Sequence, residues 1–261
     1  MSERPFSQGD RPLVVAHRGD SSHEAENSLP AFEAAILAGA DAIELDVRVT
    51  ADGLAVVMHD ASVDRTTDGR GLVRDLSAEQ VRALRMPLRG GGAAGVPTLE
   101  EALRAVAGRA AVDIEIKNVP GDPDFEPDRQ RAVDATLAVL GSIDVDARVM
   151  LSSFNPLALA HCRARAPELE TGLLTDTDVG AEASLAFAER EGHPWVLPFI
   201  DRVADAQPGF AGDVHRTGLR LGVWVTDDPA RAADLFRAGV DAVATNDPAA
   251  IVAARREALG V

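Results

Sequence analysis

Hydrophobic and polar positions in this chain fall into two alternating periods, a short one of two residues and a longer one of 3.6. The short period shows first in Pro12-Leu13-Val14-Val15-Ala16, an apolar β run that stops at His17-Arg18-Gly19. Residues 30–40 (PAFEAAILAGA) then carry helical spacing, with Asn27 or Ser28 as the N-cap and Gly39 as the stop. The next strand, Ala42–Val47, alternates strictly, placing Ile43, Leu45 and Val47 on one face and Glu44 and Asp46 on the other. A β-α-β order of this kind predicts parallel pairing.

The stretch that follows reads as a hairpin. Asp52-Gly53 between alternating runs is a strong signal for a tight turn. With these two as the turn residues, Val47 falls opposite Met58 and Asp46 opposite His59. Two carboxylates and an imidazole would then be gathered by backbone register, as a metal site or as an acid/base site. Residues 64–71 are turn-rich, Ser77 to Leu84 reads as a short helix, and Leu88 to Gly95 reads as a glycine-rich surface loop without a phosphate-binding pattern. Thr98 and Glu101 form a capping box at the head of the next helix.

The alternation then continues. Strands are predicted to start at Leu13, Ala42, Val112, Val149, Thr171, Trp195, Leu221 and Asp241, with helices over about 128–140, 156–165, 180–191 and 229–238. The segment 199–209 has no clear period. Eight strands with intervening helices in 261 residues is the arithmetic of a single α/β domain, residues 1–261, folded as a (β/α)8 TIM barrel. Residues of about 48–96 are then a small insertion after the second strand. An open doubly wound sheet is the competing architecture, weakened because no Gly-rich nucleotide fingerprint follows the first strand.

Composition narrows the function. The hydrophobic fraction of 46% is ample for one large core, and a net charge of -16 argues against nucleic acid and anionic membrane surfaces. An anionic substrate would need local positive charge to approach such a protein. The single cysteine, Cys162, excludes an intramolecular disulfide and reads as a small buried filler. Met1 to Asp10 is polar and lacks the apolar core of a signal peptide, and no stretch has the length of a membrane span; the expectation is a cytoplasmic protein. Of the 26 basic residues only Lys117 is a lysine.

A barrel places function where its strands end. His17 and Arg18 fall at the end of the first strand, Glu44 and Asp46 on the second, and Glu115 and Lys117 on the third, facing inward as an i, i+2 pair. Ser152, Ser153, Trp224, Thr245, Asn246 and Asp247 fall at later strand ends. Three carboxylates in one barrel mouth repel each other unless compensated; a divalent cation together with Lys117 would balance them, and protonated acids or a buried ion-pair network are the metal-free alternative. An all-oxygen shell favours Mg2+ or Ca2+ over zinc. Two histidines beside it, His17 and His59, suit general acid and base catalysis. His23, His161, His193 and His215 read as structural, and Arg65, in the insertion, as a solvated loop arginine.

At these positions the sequence resembles the glycerophosphodiester phosphodiesterase family. The resemblance rests on His17-Arg18-Gly19, Glu26-Asn27-Ser28, Glu44-Leu45-Asp46-Val47, His59-Asp60, Arg65-Thr66-Thr67-Asp68-Gly69, Glu115-Ile116-Lys117 and Thr245-Asn246-Asp247-Pro248, in family order over nearly the whole chain. It implies a (β/α)8 barrel with a small insertion. It also implies Ca2+ or Mg2+ on Glu44, Asp46 and Glu115, His17 and His59 as the acid/base pair, and Arg18 and Lys117 on the phosphate of a small-molecule glycerophosphodiester. Trp224-Val225-Thr226-Asp227 departs from the family's Trp-Thr-Val-Asn; Trp224 is still placed to pack on the glycerol carbons, and Asp227 puts the preferred alcohol group in question. A lysophospholipase D-like enzyme and a non-catalytic barrel binding phosphorylated ligands are the alternatives. A zinc amidohydrolase-like barrel would need a His-x-His on the first strand, which this sequence lacks.

Overall fold

The computed structural model describes residues 6, 11–144, 147–206 and 208–260; the polar N-terminal segment, Phe6 apart, lies outside them. The eight expected strands are present: Leu13–His17, Ala42–Val49, Ala111–Ile116, Val149–Ser153, Glu170–Thr175, Trp195–Pro198, Arg220–Val223 and Ala242–Thr245. Each pairs in parallel with its neighbour, and the first strand hydrogen-bonds both the second and the eighth, closing the barrel. Closure removes sheet edges, so every barrel strand has its backbone groups paired on both sides.

Helices alternate with the strands, and local chemistry explains where they start. Ser28 caps Leu29–Leu37 through its side chain, with a proline in the first turn, and Thr98 and Glu101 form the expected capping box at Leu99–Val106. A second capping box, Ser77 with Gln80, opens the short helix Ala78–Ala83. The segment without a clear period contains the short helix Ile200–Asp205, and a second one, Phe210–Arg216, follows it. Among the described residues no helix is long and apolar enough to cross a membrane.

Alternation sets the burial. Ile43, Leu45, Val47, Ile114 and Ile116 point outward into the core beneath the helices, together with Leu103, Leu140 and the fully buried Cys162. Inside the barrel lie Val15, Ala42, Ala111, Met150, Leu174, Trp195 and Leu197. Leu197 fills the centre because two neighbours are glycines: a Cβ on Gly172 or Gly222 would come within 2.6 Å of its methyl groups. Phe6 packs edge-on against Trp195.

The insertion carries its own small core of Val56, Met58, Val63, Val73, Val81, Met86 and Val96. The expected glycine-rich loop is held by a small antiparallel pair, Met86–Pro87 with Ala93–Ala94. The hairpin itself differs from expectation by one residue. Val47 faces Val57, Arg48 faces Val56 and Val49 faces Ala55. The Met58 amide donates to the Asp46 carbonyl at 2.9 Å, so Met58, and not His59, lies opposite Asp46. The physical reason is loop length. Thr50 and Leu54 close a three-residue loop, Ala51-Asp52-Gly53, whose last residue sits in the left-handed region (φ +94°).

Candidate active site

Strand register assembles the site at the C-terminal mouth. The parallel pairing puts His17 beside Glu44 and Glu44 beside Asp113 in one row, and Asp46 beside Glu115 and Glu115 beside Ser152 in the next. Glu44, Asp46 and Glu115 are all buried, and each presents one carboxylate oxygen such that the three lie within 4.8 Å of one another. His59 reaches the same mouth by a different route from the one expected. The hairpin arm ends at Val57, and the chain then turns inward, with Arg48 Nε donating to the His59 carbonyl at 2.8 Å. His17, His59, Arg18, Glu44, Glu115, Lys117 and Trp224 all line one cavity.

The turn after the first strand is strained and tightly packed. Arg18 adopts φ +59° and Gly19 φ +81°. A Cβ on Gly19 would meet the Ala31 backbone at 2.7 Å, so no other residue fits. The turn presents the Arg18 amide to Glu44, at 3.1 Å from its carbonyl and 2.9 Å from Oε2.

Electrostatics makes the acid cluster unsatisfied as it stands. Burial, with Asp46 and Glu115 close by, raises the Glu44 pKa well above the usual carboxylate range; burial also raises that of Glu115, although Lys117 opposes it. Asp46 goes the other way: burial would raise it, but Lys117 and Arg18 outweigh burial and lower it. Lys117 Nζ lies 2.5 Å from Glu115 Oε1 and 3.1 Å from Asp46 Oδ1. Beneath them Asp113 is pushed up to about 7 by burial. Glu44 Oε1, buried, has no hydrogen-bond partner among the described residues. Such a gap, flanked by oxygens of three acids, fits a hard divalent cation, which would favour the ionised form of Glu44 and Glu115 beside the already ionised Asp46.

Both imidazoles are held by one nitrogen. His17 Nδ1 bonds Asn246 Oδ1 at 2.8 Å; an amide oxygen only accepts, so Nδ1 carries the proton and Nε2 is left as the acceptor. Asn246 is itself anchored, its amide and Nδ2 donating to Asp227 at 2.7 and 2.9 Å. His59 Nδ1 donates to Asp60 Oδ1 at 2.7 Å, again leaving Nε2 free. Burial lowers the pKa of His17 to about 4 and also lowers that of His59, so both rings are neutral near pH 7.

Three participants escape a linear reading. Of the two expected cap residues Ser28 does the capping, while Asn27 donates through Nδ2 to Asp46 Oδ2 at 2.7 Å. Asp227 accepts from the Thr245 hydroxyl and from the Asn246 amide and Nδ2, and so grips the loop that holds His17. Arg65 is not a free loop arginine but pairs with Glu26 and Asp60. Asp247 caps the last helix, and the Ser153 hydroxyl bonds the Ile116 carbonyl. The four remaining histidines do not line the cavity and pair with Asp20, Asp134, Thr171 and Asp241. Trp224 stands edge-on to Phe154 and Phe199, at 5.3 and 5.1 Å between ring centres, and its Nε1 donates to the Leu197 carbonyl.

Two imidazoles beside a cluster of buried carboxylates at a barrel mouth suit the cleavage of a phosphoric diester, and comparison with known proteins places the chain in that class of hydrolases. A sequence profile of the glycerophosphoryl diester phosphodiesterase family matches residues 17–250. The glycerophosphodiester phosphodiesterase of Caldanaerobacter subterraneus subsp. tengcongensis is 32% identical over 249 residues, 93% of this chain and 97% of that protein. Among solved structures, the glycerophosphodiester phosphodiesterase of Agrobacterium tumefaciens superposes with a TM-score of 0.74 at 27% identity, covering 93% of this chain and 99% of its own. An Oleispira antarctica phosphodiesterase shares the fold with a TM-score of 0.79 at 24% identity, over 94% and 96% of the two chains. The chain belongs to the glycerophosphoryl diester phosphodiesterase family.

Proposed function

We propose that the chain hydrolyses glycerophosphodiesters to glycerol 3-phosphate and an alcohol, with His17 and His59 as the general acid–base pair. Glu44, Asp46 and Glu115 are the residues to hold Mg2+ or Ca2+, and Arg18 and Lys117 bind the phosphate, with Trp224 against the glycerol carbons. The observation that carries this reading is the meeting of two imidazoles, each tied at Nδ1 with Nε2 free, at one cavity with three buried carboxylates. A cation bound there would neutralise the acids and polarise the phosphoryl oxygens.

The chain's own groups do the rest. One histidine, neutral, takes the proton of a glycerol hydroxyl through Nε2 as that oxygen attacks phosphorus; the other enters the substrate complex protonated at Nε2 as well and gives that proton to the departing alcohol. Water then opens the cyclic phosphate with the two roles exchanged. Arg18 and Lys117 supply the positive charge that an acidic protein must offer an anionic substrate. The Oleispira antarctica phosphodiesterase was solved with the product sn-glycerol-3-phosphate, which supports the same product here.

Incubation of metal-loaded protein with glycerophosphocholine, glycerophosphoethanolamine and glycerophosphoglycerol should release glycerol 3-phosphate, and a His59→Ala protein should not. Release of a phosphorylated head group instead would refute the assignment of the broken bond. A second reading, cleavage of a lysophospholipid, is favoured by the apolar groove of Val119, Pro120, Phe154, Leu173, Val179 and Phe187 beside the mouth. Turnover of lysophosphatidylcholine against glycerophosphocholine separates the two.

A further inference from the structure

We propose that Arg65, carried by the insertion, is a positioning residue: together with Glu26 it locks His59 and Arg18 to one another across the barrel mouth. This rests on the reading of His59 as an acid–base group. The guanidinium grips two carboxylates at once. Its Nη1 and Nη2 reach Glu26 Oε2 and Oε1, both at 2.7 Å, while Nε and Nη2 reach Asp60 Oδ2 and Oδ1 at 2.6 and 3.0 Å. On one side Asp60 Oδ1 accepts the His59 Nδ1 proton at 2.7 Å. On the other, Glu26 Oε1 accepts from Arg18 Nη1 at 3.0 Å, and Arg18 Nε lies 3.3 Å from Asp46 Oδ2. An unbroken chain of hydrogen bonds and ion pairs thus runs from an imidazole in the insertion to a carboxylate in the barrel.

Arg65 is the one member of that chain whose fork ties the insertion to the loop after the first strand. His59 has no ladder partner of its own, since the hairpin strand ends two residues before it. Its ring orientation therefore depends on Asp60, and the orientation of Asp60 depends on Arg65. The Arg65 side chain is half exposed, and an ion pair of that kind adds little to stability. Its removal should show in turnover and not in folding. Lysine offers a point charge and cannot hold two carboxylates in a fixed plane.

The test compares kcat, KM and thermal midpoint for Arg65→Gln, Arg65→Lys and Arg65→Ala, with His59→Ala and the exposed-loop variant Arg70→Gln alongside. Arg65→Gln should lower kcat by about 10²-fold, the scale set by an ångström of misplacement, with little change in KM. Its midpoint should stay within about 2 °C of the parent. Arg65→Lys should remain impaired, guanidinium ion should restore part of the kcat of Arg65→Ala, and Arg70→Gln should behave as the parent. Arg65→Gln at parental kcat, beside an inactive His59→Ala, would overturn the positioning role and leave the acid–base reading standing. A fully active His59→Ala would remove that reading itself. If Arg65→Gln does not fold, the decision passes to Arg65→Lys, where parental kcat overturns the proposal and a fall in kcat alone supports it.

Discussion

Asn27 and Asn246 do for the acids and the imidazole what neither could do alone. A carboxylate buried as completely as Asp46 keeps one orientation only if its oxygens are spoken for, and Asn27 Nδ2 takes one of them at 2.7 Å. Removing that bond in Asn27→Ala should weaken binding of a divalent cation about 10–100-fold, measurable by isothermal titration; unchanged affinity would mean that Asn27 only shapes the loop. At this scale the acids were legible from the sequence because alternation alone puts Glu44 with Asp46, and Glu115 with Lys117. Asn246 and His17 were not legible as partners, being 229 positions apart and joined only by barrel closure. Arg65 was misread for the same reason: nothing local marks Glu26, 39 residues away, as its partner.

At the scale of elements, period and capping chemistry located strands and helices to within a few residues, since both are short-range effects. Register in the hairpin was missed by one because Asp-Gly is compatible with loops of two or three residues, and the choice lies in the left-handed conformation of Gly53. The consequence is instructive: the site survives because His59 is held by side chains and by Arg48, not by the ladder. Gly53→Val should cost about 1–2 kcal/mol through the strain of a branched residue at positive φ, seen as a lower urea midpoint at unchanged slope. Gly19→Ala should do worse, since its Cβ would collide with the Ala31 backbone and displace Arg18. A Gly19→Ala protein with parental activity would contradict the packing of that turn.

The whole barrel was legible as a count of strands and helices, whereas the closing pair of first and eighth strands and the two short helices, 200–205 and 210–216, needed coordinates. Stability at this scale is linked to pH through buried histidines. His193 is 2% exposed, bonded to Thr171, and burial lowers its pKa to about 4. The unfolded chain takes up that proton near pH 6.5 and the folded chain does not, so the contribution is fully present above 6.5 and is lost as pH falls through 4. The loss amounts to about 3 kcal/mol. His193→Gln should flatten this limb of the stability–pH curve, which urea unfolding at pH 7, 5.5 and 4 would show; an identical pH dependence would exclude His193 as its source.

The central claim is that a cation held by Glu44, Asp46 and Glu115 works with His17 and His59 on one diester. It is tested most directly by glycerophosphocholine turnover in chelator-stripped protein, followed by titration with Mg2+ or Ca2+. Turnover should be absent without metal and return on titration. It should stay about 10²–10⁴-fold lower in His17→Ala and His59→Ala at every metal concentration. Full turnover in the stripped protein, or in either histidine variant, would contradict the account.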